Sequence, residues 1–348
     1  DSDGTAVGTE QTNATGSFDN LEAGKYKITA TLSDGTTEKK KVEKTINIKN
    51  LDDMSAYLFV HFVDTQEDAT REQIYFSVSK DGKTWTTLNN KQPYLTSNVG
   101  TQGVRDPYIL RGEDGKFFII ATDLSVYNLK NNWTAAAQQG SKSIVVWESS
   151  DLVNWSEASL VKINNDNAGC TWAPEACYDP EKDEYMVFWA SVVSDDSYQK
   201  YRIYRSYTKD FKTFSAPELY IEEPNAVIDT TIIDHEGTYY RFTKNEAKSS
   251  ITMQECTSLS GDWKDVANYN LGSMTGYEGP TIYKLNGKNE WCLLLDYFSK
   301  SKGYKPFVTT DITKGEFTAD SDFSFDGTYR HGTVMPITQA EYESLTAE

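Results

Sequence analysis

Long apolar runs and metal-binding residue types are both scarce in this sequence of 348 residues. No apolar run approaches the length of a membrane-spanning helix, so membrane insertion is not expected. The three histidines and four cysteines include no CxxC pair and no zinc-ligand spacing. Cys170 and Cys177 are close enough in sequence to form a disulfide, but four cysteines in so long a chain do not require one. The sequence alone leaves that bridge open.

Positive charge is also in short supply. The chain carries 34 basic residues against 52 acidic ones, for a formal net charge of −18. Such a protein repels nucleic acid and anionic membranes, and it lacks the basic stripe that nucleic-acid-binding proteins need. A neutral ligand is the partner that this composition favours.

Aromatic residues, in contrast, are abundant. They make up 13% of the chain and include 22 tyrosines and 8 tryptophans. This excess favours a β-rich fold, and flat aromatic surfaces also pack against the apolar faces of sugar rings. Most of these side chains are nevertheless expected to pack between sheets, where large aromatics bury the most apolar area.

The first 50 residues differ in pattern from the rest. Polar and apolar residues alternate around Lys25–Leu32 and Val42–Ile48, with a Ser33-Asp34-Gly35 turn between them, which predicts a β-hairpin. The pattern resembles the last strands of an immunoglobulin-like module, which usually has about 100 residues. We therefore predict a partial immunoglobulin-like β module or linker at residues 1–50 and a main domain at residues 51–348.

An internal repeat in the main domain predicts a β-propeller. About four strands in roughly 50–65 residues, repeated five times, correspond to one blade per repeat. A strand hairpin with a polar turn precedes each of the last four copies of a second element, a short polar turn that ends in Trp or Phe. The predicted fold class is therefore all-β, a five-bladed β-propeller, with only the tail QAEYESLTAE expected to be helical. The copies of the turn element are SVSKDGKTWTTL (77–88), ESSDLVNWSEA (148–158), SYTKDFKTFSAP (206–217), ECTSLSGDWKDV (255–266) and VTTDITKGEFTA (308–319).

The two ends of this propeller are predicted to pair with each other. The segment AYLFVHFVD (56–64) begins the first blade with no inner strand before it, and the strand-like segment RHGTVMPIT (330–338) has no partner after it. We expect the last strand to supply the inner strand of the first blade, which closes the ring.

Each of the five predicted inner strands carries an acid or a histidine near its start. In a propeller, these strand ends point into one funnel at the axis. One acid at a strand start is ordinary, since Asp and Glu are common at turns, but acids on four blades and a histidine on the fifth indicate an axial site. The strands are VRDPYIL, WAPEACY, VIDTTII, YEGPTIY and RHGTVMP, and the residues are Asp106, Glu175, Asp229, Glu278 and His331.

A group of carboxylates at the axis suits glycosidic cleavage. That reaction needs one carboxylic acid to protonate the leaving oxygen and one carboxylate to activate water or attack carbon. A third carboxylate can raise the pKa of the acid, because like charges crowded at one site disfavour ionisation.

The motifs RDPYI, VIDTTII and YEGPTIY, in this order on successive blades, resemble glycoside hydrolase family 43. WAPEACYD and RHGTVMPIT are also similar to that family, and the resemblance covers roughly residues 55–340. It implies that residues 51–348 are the catalytic domain of an inverting glycoside hydrolase. In that enzyme Asp106 would be the general base, Glu278 the general acid, and Asp229 the residue that orients the acid and modulates its pKa.

The same resemblance implies roles for neighbouring side chains. Glu175 and Trp172 correspond to positions that often contact substrate. His331 resembles an axial histidine beside a calcium ion or a water cluster, with a plain core histidine as the alternative. Arg105 and Arg330 would either hydrogen-bond sugar hydroxyls or form structural ion pairs. No cofactor is required, and a structural Ca²⁺ is an open prediction.

The family is associated with α-L-arabinofuranosidase, β-xylosidase, arabinanase and exo-galactanase activities. The segment VYNLKNNWTAAAQQGSKSIVVWES, together with NNDNAGCTWAPEA, is most similar to arabinofuranosidase members. We therefore expect an α-L-arabinofuranosidase, with β-xylosidase and exo-galactanase as alternatives. Its partner would be an arabinose-, xylose- or galactose-containing plant glycan, and its location secreted or at the surface of a bacterial cell.

Three other classes compete with this interpretation. The β-fructosidases also carry an RDP motif, but they require a WMNDPN-like inner strand and ECP in place of EGP, and the sequence has neither. A non-catalytic carbohydrate-binding propeller has no need of three axial carboxylates. A surface adhesion or scaffold protein is suggested only by the immunoglobulin-like start.

Overall fold

The computed structural model describes residues 24–33, 38–48, 53–63 and 68–347. Contacts between backbone positions divide the chain into two units, with the boundary between Met54 and Ser55. The opening residues 1–23 and the Asp34-Gly35 part of the predicted turn lie outside the described residues.

The first unit contains one antiparallel pair of strands. Strand β1 (Gly24–Ser33) pairs with β2 (Glu38–Ile48), and Gly24 lies opposite Ile48. Strands therefore form where the alternation of polar and apolar residues predicts them, although β2 begins at Glu38 rather than near Val42. The immunoglobulin-like character of this unit stays a prediction.

The second unit is a five-bladed β-propeller, as predicted. Within the described residues each blade is one sheet, and consecutive strands of a blade are antiparallel neighbours from the inside outward. The second to fifth blades are β6 (Val104–Arg111), β7 (Phe117–Asp123), β8 (Ser143–Ser149) and β9 (Ser159–Lys162); β10 (Trp172–Asp179), β11 (Glu184–Ser191), β12 (Arg202–Thr208) and β13 (Glu218–Ile221); β14 (Val227–His235), β15 (Thr238–Asn245), β16 (Ser250–Cys256) and β17 (Lys264–Asp265); and β18 (Glu278–Lys284), β19 (Trp291–Asp296), β20 (Tyr304–Thr309) and β21 (Thr318–Ala319).

The first blade closes the ring by joining the two ends of the domain. Its sheet contains β3 (Met54–Phe62), β4 (Tyr75–Ser79) and β5 (Thr84–Thr87), and β23 (Arg330–Thr338) lies on the inner side of β3. The predicted closure is therefore confirmed. A further short strand, β22 (Ser324–Phe325), runs parallel to β5 on the outer edge of the blade and was not predicted.

The recurring turn before Trp or Phe has one physical cause in four of its five copies. An aspartate side chain accepts hydrogen bonds from backbone N–H groups two or three residues further on, which fixes the turn between the third and fourth strands of a blade. In the fourth blade Ser258 stands at this position and accepts a bond from the N–H of Ser260. The four aspartates are Asp81, Asp151, Asp210 and Asp311.

Large aromatic side chains fill the space between neighbouring sheets. Tryptophans of four different blades are almost completely buried, namely Trp85, Trp147, Trp189 and Trp291. Burial of such a side chain removes about 150–250 Å² of surface from water, which makes these residues major contributors to the stability of the domain. The expectation that most aromatics pack between sheets is met for these residues.

The domain contains two α-helices among the described residues. The tail forms α2 (Gln339–Thr346), with a capping box between Thr338 and Glu341, and the Glu341 carboxylate accepts two hydrogen bonds from Arg111 at 2.7 and 2.8 Å. The expectation of a single helix was wrong, because α1 (Trp133–Gln138) forms between β7 and β8. Its N-cap is Asn132, whose side chain accepts a hydrogen bond from the N–H of Ala135.

The four cysteines are all free, and Cys170 and Cys177 do not form a disulfide in this structure. Burial raises the pKa of the Cys170 thiol to about 12, which keeps it protonated. None of the helices in the described part of the chain is long and apolar enough to cross a membrane.

Candidate active site

The predicted axial residues are positioned by β-bulges at the start of four inner strands. In each of β6, β10, β14 and β18, the register with the neighbouring strand shifts near the first residues. One residue at each shift has a positive φ: Asp106 (50°), Ala173 (47°), Asp229 (50°) and Gly279 (49°). Bulges re-aim side chains locally and are frequent beside active sites. The same local deformation therefore recurs on four blades at the axial end of the inner strand.

His331 lies at the centre of the predicted carboxylates. Its Nδ1 atom is 3.4 Å from an oxygen of Asp106 and 3.9 Å from an oxygen of Asp229. Burial lowers the pKa of His331, but the charge of Asp229 and the hydrogen bond and charge of Asp106 outweigh burial and raise the pKa to about 9. At neutral pH this imidazole is therefore a cation that lies between acids from two blades.

Gly279 leaves the space that His331 occupies. A Cβ atom built at position 279 would lie 2.6 Å from Cγ of His331, closer than real Cβ contacts come. The EGP motif therefore requires glycine for two reasons, its positive φ and its contact with the histidine ring.

Asp106 is held as an ionised carboxylate. It accepts a hydrogen bond of 2.9 Å from Thr122, whose hydroxyl oxygen in turn accepts one of 2.8 Å from the N–H of Ala173. Burial opposes ionisation, but the hydrogen bond and charge of His331, together with Arg105 and Thr122, lower the pKa of Asp106 below its usual value. An ionised, oriented carboxylate is what a general base needs.

Asp229 has the opposite electrostatic character. Burial, with smaller contributions from Glu278 and Asp106, raises its pKa to about 6, although His331 and Lys244 favour the charged form. Its Oδ2 atom accepts a hydrogen bond of 3.1 Å from the N–H of Gly279. Asp229 therefore contacts the backbone directly beside Glu278, where an orienting residue for that acid would have to lie.

Two cations hold the carboxylate of Glu278. Lys244 Nζ is 2.9 Å from its Oε2 atom, and Nη2 of Arg330 is 3.3 Å from its Oε1 atom. Lys244 is itself buried and also contacts Glu246 at 2.8 Å. Arg330 donates a second hydrogen bond of 2.6 Å through Nε to the buried Asp296. For Arg330 the structure thus shows the ion pairs, and a contact with sugar hydroxyls stays a prediction.

Glu175 is the most protected of the axial acids. Burial raises its pKa to about 8 despite the opposing charge of His331 and a hydrogen bond from Thr231, so this carboxyl group keeps its proton at neutral pH. Its Oε2 atom has no hydrogen-bond partner within the described residues. A buried protonated carboxyl group with one unused oxygen is suited to bind a hydroxyl group of a ligand.

Arg105 is engaged in a structural ion pair. Its Nη1 atom lies 3.0 Å from the carboxylate of Glu72, which is fully buried. Glu72 also accepts hydrogen bonds from the Ser125 hydroxyl and from the N–H groups of Val126 and Tyr127. Of the two predicted roles for Arg105 the geometry shows the ion pair, and the contact with sugar stays untested.

Trp172 begins the inner strand of the third blade and is half-buried. Its ring stacks on Tyr201, with a centroid distance of 5.4 Å, and meets the ring of Trp133 edge-on at 6.1 Å. Trp172 therefore belongs to a group of aromatic side chains with Tyr201 and Trp133.

Three charged residues of the site were missed by sequence reasoning, and two of them could have been found. Lys244 and Asp296 lie near the ends of second strands, where pairing places them opposite Ile228 and Glu278. Counting residues outward from each hairpin turn would have brought both beside the axial acids. Glu72 gives no such signal, because it lies outside the repeat.

The described residues do not test the predicted calcium beside His331. Calcium takes six to eight oxygen ligands, and no cluster of three or more His, Cys, Asp or Glu that could hold a metal was found in the described residues. The protonated Nδ1 of His331 already faces two carboxylates. The calcium site therefore stays a prediction.

The sequence and the structure resemble known proteins. Residues 52–343 match a family described as "Probable glycosyl hydrolase domain", which is related to glycoside hydrolase family 43. The chain is 30% identical to an α-L-arabinofuranosidase of Bifidobacterium longum subsp. longum, over an alignment that includes 84% of this chain and 32% of that enzyme. The chain thus spans about a third of the length of that curated relative.

Solved structures also match. The family 43 BlXynB protein of Bacillus licheniformis is 17% identical, with a TM-score of 0.50 over 82% of this chain and 55% of the other, and this similarity concerns the fold. The catalytic domain of a family 62 α-L-arabinofuranosidase from Coprinopsis cinerea is 17% identical, with a TM-score of 0.47 over 66% and 71% of the two chains.

Proposed function

The chain belongs to the family of probable glycosyl hydrolase domains related to glycoside hydrolase family 43, and from this membership we propose that it is an inverting α-L-arabinofuranosidase. The observation that carries the proposal is the grouping of Asp106, Asp229 and Glu278 at the starts of three inner strands, with the pKa of Asp106 lowered and that of Asp229 raised. The relative from Bifidobacterium longum supports the choice of sugar.

In the proposed reaction Asp106 takes a proton from the attacking water molecule. Its hydrogen bond with Thr122 and its contact with His331 fix the direction of the carboxylate. The water attacks the anomeric carbon while the bond to the leaving oxygen breaks, which inverts the configuration.

Glu278 supplies the proton that the leaving oxygen needs. Both of its oxygen atoms contact cations, Lys244 and Arg330, in the protein without substrate. To act as the acid, Glu278 has to take up a proton from solvent before each turnover, and the leaving oxygen has to approach the oxygen atom that carries this proton. Asp229, through its bond to the N–H of Gly279, orients the strand that carries Glu278.

Glu175 is proposed to bind the sugar rather than to react. Because its pKa is raised to about 8, it can donate a hydrogen bond to a sugar hydroxyl below that pH. In this proposal three different acids serve as the proton acceptor, the proton donor and a neutral hydrogen-bond donor.

A panel of 4-nitrophenyl glycosides tests the proposal. Arabinofuranoside, xyloside, galactoside and fructoside are assayed side by side with the wild type, with Asp106→Asn, and with Asp262→Asn as a control in an exposed outer turn. We expect hydrolysis of the arabinofuranoside, loss of activity in Asp106→Asn only, and an inverted first product by proton NMR. Cleavage of the xyloside or galactoside faster than the arabinofuranoside would show that the enzyme prefers a different sugar. The proposed type of reaction would still stand. Binding of oligosaccharide without hydrolysis of any substrate would refute the enzyme and favour the carbohydrate-binding alternative.

Two further parts of the proposal concern an axial calcium ion and the cellular location of the protein. Exhaustive chelation is expected to lower activity or melting temperature modestly if an axial calcium is present, and unchanged values would leave His331 as the axial cation alone. A secreted or cell-surface location in a bacterium, with a plant glycan as substrate, is what an extracellular polysaccharide-degrading role requires.

A further inference from the structure

Trp133 is unusual among the tryptophans of the described residues. Its side chain is 46% exposed, whereas the other seven are half-buried or buried. An indole ring left in water forgoes a large part of the stabilisation that burial provides. The proposed reaction does not use this residue.

The ring lies beside two residues that begin inner strands. The guanidinium of Arg105 is placed over the indole at 5.3 Å from its centroid, and the ring of Trp172 meets it edge-on at 6.1 Å with an interplanar angle of 84°. Arg105 directly precedes the proposed base Asp106, and Trp172 is three residues before Glu175. The indole is therefore in contact with side chains from the starts of two inner strands that also carry axial acids.

The segment that carries Trp133 is fixed to the rest of the domain. Glu72 accepts hydrogen bonds from Ser125 and from the backbone of Val126 and Tyr127, which anchors the chain just before the helix. The side chain of Asn132 caps α1. Beyond the helix, the N–H of Gly140 donates a bond of 2.7 Å to the carbonyl of Gly169. A rigid, exposed aromatic surface loses little entropy when a ligand stacks on it.

We propose that the indole of Trp133 is a platform on which a sugar unit other than the cleaved one stacks, so that Trp133 gives the enzyme a preference for oligosaccharides. This inference rests on the proposed function. The cleaved sugar has to contact the axial acids, whereas Trp133 lies on α1, outside the ring of inner strands. A neutral sugar ring fits a flat apolar surface in a protein with a net charge of −18.

The test separates oligosaccharide binding from binding of the cleaved sugar. Trp133→Ala, Trp133→Phe and the control Leu160→Ala are compared with the wild type, because Leu160 is 43% exposed on the outermost strand of the same blade. Alanine favours helix at an exposed position, so Trp133→Ala is expected to fold. For each protein we would measure the KM of an arabinofuranosyl-substituted xylo-oligosaccharide and the inhibition constant of free L-arabinose.

Loss of the stacking contact should raise the KM of the oligosaccharide about tenfold in Trp133→Ala, with a smaller rise in Trp133→Phe and none in Leu160→Ala. The inhibition constant of arabinose should stay within about twofold of wild type. An unchanged KM, or an equal rise in both constants, would overturn the platform.

Calorimetric titration of the same oligosaccharide into wild type and Trp133→Ala distinguishes this outcome from a failure of the proposed function. If the wild type hydrolyses nothing but Trp133→Ala still loses oligosaccharide affinity, the platform stands and the enzyme proposal falls. Equal affinities of the two proteins would refute the platform whatever the activity.

Discussion

Replacing Gly279 by alanine would test whether the position of His331 controls the site. The added Cβ would lie 2.6 Å from Cγ of His331, and this gap must open to about 3.4 Å, where ordinary contacts begin. The backbone at this position has a φ of +49°, which costs an L-residue about 1–2 kcal/mol. Overpacking of a buried contact adds roughly 1–3 kcal/mol. The total expected loss in the free energy of unfolding is about 3 kcal/mol.

A second glycine provides a matched control. Gly237 also has a positive φ, of +82°, but a Cβ built there has no atom within 4 Å. Gly237→Ala should therefore lose only the backbone contribution, about 1–2 kcal/mol. The difference between the two variants isolates the displacement of the histidine.

Activity should distinguish the variants more clearly than stability. A shift of His331 changes its contacts of 3.4 Å with Asp106 and 3.9 Å with Asp229, and misplacement of a reacting group by about 1 Å can cost roughly 100-fold in rate. Urea unfolding and kcat/KM on the preferred aryl glycoside would be measured for both variants. If Gly279→Ala matched Gly237→Ala in both quantities, the histidine would not be held by this glycine, and its proposed place in the site would be wrong.

Three further predictions concern the acid, the axial cation and the ring closure. Glu278→Gln should slow hydrolysis of natural glycan about 10²–10⁴-fold. It should slow hydrolysis of a dinitrophenyl glycoside much less, because that leaving group departs without a proton. Equal slowing of both substrates would exclude Glu278 as the proton donor. The pKa of His331 is about 9 in the folded protein against 6.5 ordinarily, so its stabilising contribution is complete below about pH 6.5 and is lost as the pH rises through 9. Stability measured between these pH values should therefore fall in the wild type and fall less in His331→Asn, and identical slopes would contradict the raised pKa. Deleting residues 329–348 removes β23 and exposes the edge of β3. Calorimetry of the truncated protein should therefore show loss of the cooperative unfolding transition. A melting curve like that of the full chain would show that ring closure is dispensable.

Much of the fold could be predicted because its cause is local and repeated. The Asp side chain that fixes each outer turn acts on N–H groups two or three residues away, so the turn is visible in sequence as a recurring motif. The ring closure followed from a count of strands, since one blade lacked an inner strand and one strand lacked a blade.

The axial acids could be predicted as a set, but their individual states could not. Asp106 and Asp229 both stand at a bulged position with nearly the same φ, yet the pKa of one is lowered and that of the other is raised. Burial raises the pKa of both carboxyl groups, and only Asp106 has side-chain hydrogen bonds, from His331 and Thr122 on other strands, that bring its pKa down. A local motif carries no information about such distances.

Features that depend on long-range contacts were missed. The buried Glu72 is recognisable only once its partners on β6 and on the segment after β7 are known. The helix α1 has six residues, which is too short for a periodic apolar pattern to show in sequence. Its position depends on contacts with the start of the third blade, such as that between Trp133 and Trp172, which the sequence does not show.

The closing strand also determines when the candidate site can exist during synthesis. Asp106, Asp229 and Glu278 leave the ribosome before Arg330 and His331, which both lie on β23. A nascent chain that ends before β23 therefore contains all three carboxylates but neither of these cations, and its first blade still has a free inner edge. Crowding these acids together without His331 is electrostatically unfavourable. Their repulsion therefore opposes closure of the incomplete propeller. The same strand therefore supplies Arg330, His331 and the missing inner strand, so the candidate site and the closed ring depend on one segment of the chain.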